Sequence, residues 1–304
     1  MTIRVVTLAI LVWLAGSAAQ AAPTTPTADA IVHQAYQRLQ GLRLRQAVSK
    51  KTDGTIAVLV NLQPGRAASI NTFESYANNN FSDGITESKA LVLFRSGKQR
   101  GVGVLMTRYR DPARSPLLQI WLPALRKVRR FSSPAHSDHW AGSVLTYGEL
   151  FLRRPSHEDH QLLGRGTFSD CLASLSLPAD DRAARLALPE SSCLPKGRAV
   201  YRIKSVSHFN RWWYDYRLSW IDAETFAPYR TDYFKSGKRI KRVDMDWRRY
   251  DDADPQALYP RYVYARDLRT GRASLVFIPR ETVRWNTRLP AAFWSERTLR
   301  KIRR

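Results

Sequence analysis

The sequence predicts a mainly β fold built as an antiparallel sheet, and three observations carry that prediction. Beyond residue 50 the apolar residues recur with period two rather than 3.6. Hairpin-type turn signals punctuate the chain at Asp53-Gly54, Pro64-Gly65, Ser96-Gly97, Ser236-Gly237 and Thr270-Gly271. The strands follow one another without helical patterns between them, so the βαβ alternation of a doubly wound fold is missing.

The first element is not part of that sheet. Arg4 precedes an apolar run from Val5 to Leu14, and Ala19-Gln20-Ala21 fits the small-residue cleavage rule. This reads as a secretory signal peptide over residues 1–21, too short for a good membrane span. No cysteine stands at the cleavage site, so no lipid anchor is expected. Residues 22–304 are expected to form one domain. A short leader is followed by a helix over 29–40, where Val32, Ala35, Tyr36 and Leu39 fall on one apolar face. Thr27 or Asp29 caps its start and Gly41 suits its end.

Period-two segments then place strands at 55–62, 69–77, 87–95, 101–109, 117–122 and 127–131. Later strands fall at 160–166, 198–206, 213–221, 227–235, 238–247, 261–266 and 272–278. Residues 233–245 read as two strands around a tight hairpin loop. Between 169 and 197 the rhythm breaks. Pro178, Asp180, Asp181, Pro189 and Pro195 mark an insertion with a short helix near 182–188. Residues 290–304 close the chain as a short helix and a basic tail.

Lys and Arg number 49 against 26 Asp and Glu, a net charge of +23. In a cytoplasmic protein this excess points to nucleic acid. Export removes that partner and substitutes phospholipid headgroups, lipopolysaccharide, acidic glycans or the acidic face of another protein. Export also gives meaning to the two cysteines, Cys171 and Cys193, which bracket the insertion. In an oxidising compartment an even count predicts a disulfide. Their spacing is not Cys-x-x-Cys, which argues against redox catalysis and zinc clusters.

Two strands alternate cleanly. Tyr214, Tyr216, Leu218 and Trp220 point one way and Asp215, Arg217 and Ser219 the other. Val243, Met245 and Trp247 share one side, with Arg242, Asp244, Asp246 and Arg248 opposite. A sheet so apolar on one side needs a cover, and one good helix is too little to seal it. Either the sheet closes as a barrel, or it curves around an apolar concavity.

Catalytic patterns are weak. His136 and His139 lie in HSDH, and His157 and His160 in HEDH, beside Asp138, Glu158 and Asp159. The helical His-Glu-x-x-His spacing is absent, so these read as solvated loop histidines and no metal is expected. Gly142-Ser143 is not a nucleophile elbow, and no phosphate-binding or dinucleotide fingerprint occurs. No cofactor and no enzymatic activity are expected.

The ordered motifs from residue 100 onward resemble the LolA-like family of outer-membrane lipoprotein-sorting proteins. They are Arg100-Gly-Val-Gly-Val-Leu-Met106, Gln119-Ile-Trp-Leu-Pro-Ala-Leu125 and Arg126-Lys-Val-Arg-Arg-Phe131. Trp140-Ala-Gly-Ser143 and Thr146-Tyr-Gly-Glu-Leu150 follow in the expected order. Trp220-Ile-Asp-Ala-Glu-Thr-Phe-Ala-Pro-Tyr-Arg230 resembles the family's Trp-Ile-Asp hairpin, and Asn286–Trp294 its closing segment. The resemblance implies an incomplete, half-open antiparallel β-barrel covered by a few short helices. It implies a concave apolar face that holds acyl chains and performs no chemistry on them.

On that basis the expected role is a monomeric periplasmic carrier of lipid or lipoprotein, moving it toward the outer membrane. Acyl chains would lie against Tyr214, Tyr216, Leu218, Trp220, Val243, Met245 and Trp247. Arg126, Arg129 and Arg130 would meet headgroups or an acidic partner. That partner would be an inner-membrane RND-type transporter or an outer-membrane receptor. The alternative is an adaptor or sensor that docks on such an envelope complex without carrying lipid.

Overall fold

The computed structural model describes residues 26–132, 135–250, 254 and 257–301. The expected signal peptide and the end of the basic tail, 302–304, lie outside the described residues. One sheet dominates. Its strands are β1 (Gln46–Ser49), β2 (Ala57–Leu62), β3 (Ser69–Asn78), β4 (Thr86–Phe94), β5 (Gly103–Tyr109), β6 (Leu117–Leu122) and β7 (Lys127–Phe131). There follow β8 (Glu158–Thr167), β9 (Ala199–Ser207), β10 (Tyr216–Asp222), β11 (Pro228–Lys235), β12 (Lys238–Arg249), β13 (Leu258–Asp267), β14 (Ala273–Phe277) and β15 (Val283–Trp285). The spatial order is β7-β6-β5-β4-β3-β2-β14-β13-β12-β11-β10-β9-β8, with β1 between β3 and β15. All pairings are antiparallel, as at β11–β12 and β2–β14. The end strands β7 and β8 do not pair with each other, so the sheet does not close into a barrel.

Turn chemistry sets the hairpins where the sequence placed them. Ser236 and Gly237 both take positive φ, 49° and 74°, between β11 and β12. A two-residue loop of that kind matches the right-handed twist of the strands it joins. The sequence-based strands all recur, with ends moved by a few residues. β1 and β15 were not expected, because four and three residues are too few to show alternation. They pair with each other, and β1 also pairs with the second half of β3.

Helix α1 (Ala28–Leu39) starts at Thr27, whose hydroxyl accepts from the Ala30 amide at 3.3 Å. Gly41, with φ 62°, ends it. The expected C-terminal helix is a single turn, α2 (Glu296–Arg300).

Cross-strand partners share a face, so the register divides the side chains into two sets. The inner set includes Arg217 opposite Tyr233, Ser219 opposite Thr231, Val243 opposite Ala265, and Met245 opposite Val263. It continues through Leu59 and Phe73 to Phe94 and Val104. The outer set includes Leu218 opposite Asp232, Trp220 opposite Arg230, Asp244 opposite Tyr264, and Asp246 opposite Tyr262.

Both faces are covered, which is why β2 is buried along almost its whole length. On the inner face, α1 lies over the β8 side and the 136–157 segment over β2, β3, β4 and β14. Trp140 sets its ring 5.9 Å from Phe73 and 5.8 Å from Phe94. The Val144 amide donates to Ser274 at 3.0 Å. On the outer face, the insertion between β8 and β9 packs through Ala173, whose amide donates to Asp244 at 2.8 Å, and Ser192, which donates to Asp246 at 2.9 Å. Cys171 and Cys193 are joined in a disulfide at its base. Trp294 and Leu299 of the C-terminal segment bury themselves against Tyr76, Leu91, Leu105 and Trp121.

Candidate functional site

Two cavities border the inner face among the described residues. The first, about 80 Å³, lies between α1 and the strands β9 to β12. The helix contributes Val32, Ala35, Tyr36 and Leu39, the same four residues that the 3.6-residue period placed on one face. Ile221, Val243 and Met245 line the strand side. The second, about 200 Å³, lies toward β1, β3 and β4, with Ala77, Ala90, Val92, Phe151 and Tyr259 in its wall. Leu39 borders both.

One end of the first cavity is ionic. Arg217 Nε donates to Glu158 at 2.9 Å and its Nη2 at 2.5 Å, and the Tyr214 hydroxyl donates to the same carboxylate at 2.7 Å. Arg153 donates to the Tyr233 hydroxyl at 3.0 Å and stands 3.9 Å from Glu158. Burial alone would raise the Glu158 carboxyl. The Arg217 and Arg153 guanidiniums outweigh that and hold it well below the usual carboxylate range. Lys241 donates to Glu149 at 2.5 Å and to the Val144 carbonyl. Burial also raises Glu149, but Lys241 and Arg153 bring it below its ordinary value. Glu149 Oε1 is buried and accepts no hydrogen bond from the described residues.

The expected site residues divide between places. Val243 and Met245 face the first cavity. Tyr214 is buried at its ionic end, just before β10 begins. Tyr216, Leu218 and Trp220 are on the outer face, which corrects the expectation that they share a face with Met245. Tyr216 stacks on Phe234 there, at 4.8 Å. The alternation holds from Tyr216 to Trp220 but not at Tyr214, which precedes β10 and turns inward, and the inward side of the strand is the polar one. Arg217 can be buried because Glu158, distant in sequence, neutralises it. Trp247 lies at the far end of β12, past a register shift, and donates to the Pro228 carbonyl at 2.9 Å.

The three arginines of the opening basic segment are not at the cavity. Arg126, with φ 49°, sits in the turn before the edge strand β7. Arg129 and Arg130 lie on opposite faces of β7, opposite Ile120 and Gln119, and Arg130 pairs with Glu296. The histidines are not uniformly solvated, a second correction. His160 contacts Ser205 Oγ at 2.9 Å and the Pro155 carbonyl at 3.0 Å. His136 packs against His157 and Phe209, and burial, with His157 and Arg153 nearby, lowers its pKa to about 4. No group of three or more His, Cys, Asp or Glu side chains is placed to hold a metal among the described residues. No helix among them is long and apolar enough to cross a membrane.

The α1 lining was legible as an amphipathic stripe. The ionic end was not, because Glu149 and Arg153 of the covering segment meet Glu158, Arg217 and Lys241, which come from three different strands. An arginine alternating with apolar residues in β10 was its only trace in the sequence.

An open antiparallel sheet with cavities under a helix and a looped cover is a LolA-like fold. A domain described as an outer membrane lipoprotein-sorting protein of Vibrio parahaemolyticus superposes with a TM-score of 0.65 at 15% identity, covering 90% of this chain and 98% of that one. A DUF1329 family protein from Desulfovibrio piger gives 0.66 at 17% identity, covering 90% and 100%. A LolA superfamily protein from Nitrosomonas europaea gives 0.55 at 15% identity, also covering 90% and 100%. No curated protein matches the sequence. A family model described only as "-like: Uncharacterized protein" matches residues 86–301, and the chain belongs to that family.

Proposed function

We propose that the protein is a periplasmic carrier or binding protein for the acyl chains of a lipid or lipoprotein, moving this cargo toward the outer membrane. The observation that carries the reading is the apolar gap on the inner face. Val32, Ala35, Tyr36 and Leu39 of α1 face Ile221, Val243 and Met245 across space that no side chain fills. Acyl burial contributes about 0.8 kcal/mol per CH₂, so part of one chain supports micromolar binding. At about 80 Å³ the gap is smaller than ordinary ligand pockets of roughly 300 Å³ or more. Loading therefore requires α1 to move off the strands, breaking contacts such as Tyr36 to Glu87 at 3.2 Å.

Native mass spectrometry of protein purified from its own periplasm tests this. Co-purified acyl-bearing species are expected, and persistent absence of any would refute the carrier role. The second reading is a non-carrying adaptor or sensor docked on an RND-type transporter or an outer-membrane receptor. The basic free edge at β7, where Lys127 and Arg129 are exposed, favours it. It predicts lipid-free protein and a stable complex with such a partner.

A further inference from the structure

We propose a second ligand site, for a phosphate-bearing anion, in the arginine-lined cavity where the insertion meets the ends of β12 and β13. The cavity measures about 640 Å³ and shares no residue with the one beneath α1. A neighbouring groove of about 620 Å³ runs along residues 187–193 and shares Arg248 and Arg261 with it, so both arginines border two hollows.

The charge balance there is uneven. Five arginines line the cavity. Arg198 is held by Asp222 at 3.1 Å and Glu224 at 2.9 Å. Among the described residues, the other four have one carboxylate between them, Asp246. It is 1% exposed, 2.9 Å from Arg248 and 3.4 Å from Arg261, and it also accepts from Ser192. Among the described residues Arg280 donates to backbone carbonyls, those of Tyr250 at 2.8 Å and Val283 at 3.5 Å. Arg249 is exposed at the rim.

Asp246 lines the cavity together with its two arginines and pairs with both, so one carboxylate there serves two guanidiniums. Planar guanidinium groups with spare donors match phosphate oxygens in paired hydrogen bonds, and do so better than a lysine cluster would. Trp247, Tyr229 and Pro195 supply an apolar wall on which the organic part of such a ligand can rest. The chemistry is the same for a phospholipid headgroup and for free phosphate. The site stands independently of the acyl-carrier reading.

The test is calorimetric titration of the whole protein at low ionic strength. One arm uses dihexanoylphosphatidylglycerol below its micelle concentration, the other inorganic phosphate. Saturable binding that weakens as salt rises is expected. Arg261→Gln and Arg280→Gln should each weaken it about tenfold. Arg261→Gln leaves Asp246 paired with Arg248 and Ser192, and Arg280 has no acidic partner among the described residues, so Arg280→Gln is the variant safest for folding. Lipid binding much tighter than phosphate binding identifies a headgroup site. Equal affinities identify a free-phosphate site, and either result supports the proposal. Met245→Glu should leave this titration unchanged, which separates it from the acyl-binding reading. No saturable binding in either arm, or unchanged affinity in both folded arginine variants, would overturn it.

Discussion

Replacing Met245 by Glu separates a ligand cavity from an ordinary packed core. Met245 is 8% exposed, lies on the inner face opposite Val263, and borders the gap beneath α1. Removing its apolar side chain costs about 2 kcal/mol in lost burial. In a sealed core the new carboxyl must also stay neutral, and raising its pKa from about 4.3 to about 7 adds about 4 kcal/mol. The total of about 6 kcal/mol is comparable to the whole stability of a marginal domain. If α1 opens to admit cargo, water reaches the carboxylate and only about the first 2 kcal/mol remains. At roughly 2–4 °C per kcal/mol, the melting temperature should then fall by about 4–8 °C. Circular dichroism melts and native mass spectrometry on the same preparation are the assay. A folded variant with a modest loss in Tm and no co-purified lipid is expected, while Met245→Leu should retain both. A Met245→Glu chain that cannot fold, or one that folds and keeps its full lipid complement, sinks the cavity assignment.

Protein recovered from the periplasm should begin at Ala22; Edman sequencing that returns the intact N-terminus in a membrane fraction would contradict the export reading. Replacing Cys171 and Cys193 together by Ser opens a loop with a sequence separation of 22 and should cost about 3 kcal/mol in urea titrations; an unchanged midpoint would show that the bridge does not stabilise the fold. Glu158→Gln leaves Arg217 with a neutral partner and should cost about 3–5 kcal/mol at neutral pH. Because the folded-state pKa of Glu158 is depressed, its contribution is present above the unfolded value of about 4.3 and is lost as pH falls through the folded one. The variant's Tm should therefore fall less steeply than the wild type's below about pH 4; parallel acid limbs for the two proteins would refute the assigned role of the ion pair.

Much of the fold was written locally. Period-two alternation, the Ser236-Gly237 turn and the stripe Val32, Ala35, Tyr36 and Leu39 each follow from residues adjacent on one element, so each could be read from the sequence. The cysteine pair was legible from its number and compartment. Alternation could not say which side of a strand faces inward. It separates two sets of side chains without ranking them, and here both faces are covered, so the usual apolar-in, polar-out rule fails. Tyr216, Leu218 and Trp220 went outward beside Phe234 and Arg230. Arg217 went inward because β8 brings Glu158 to it. β1 and β15 exist only as partners, since segments this short gain order from the strands they join. The sequence by itself determined the strands, the turns and the apolar face of α1, all short-range properties of the chain. Only the tertiary structure decided which faces meet across the cavity and where the arginines gather, because those depend on contacts between residues far apart in sequence.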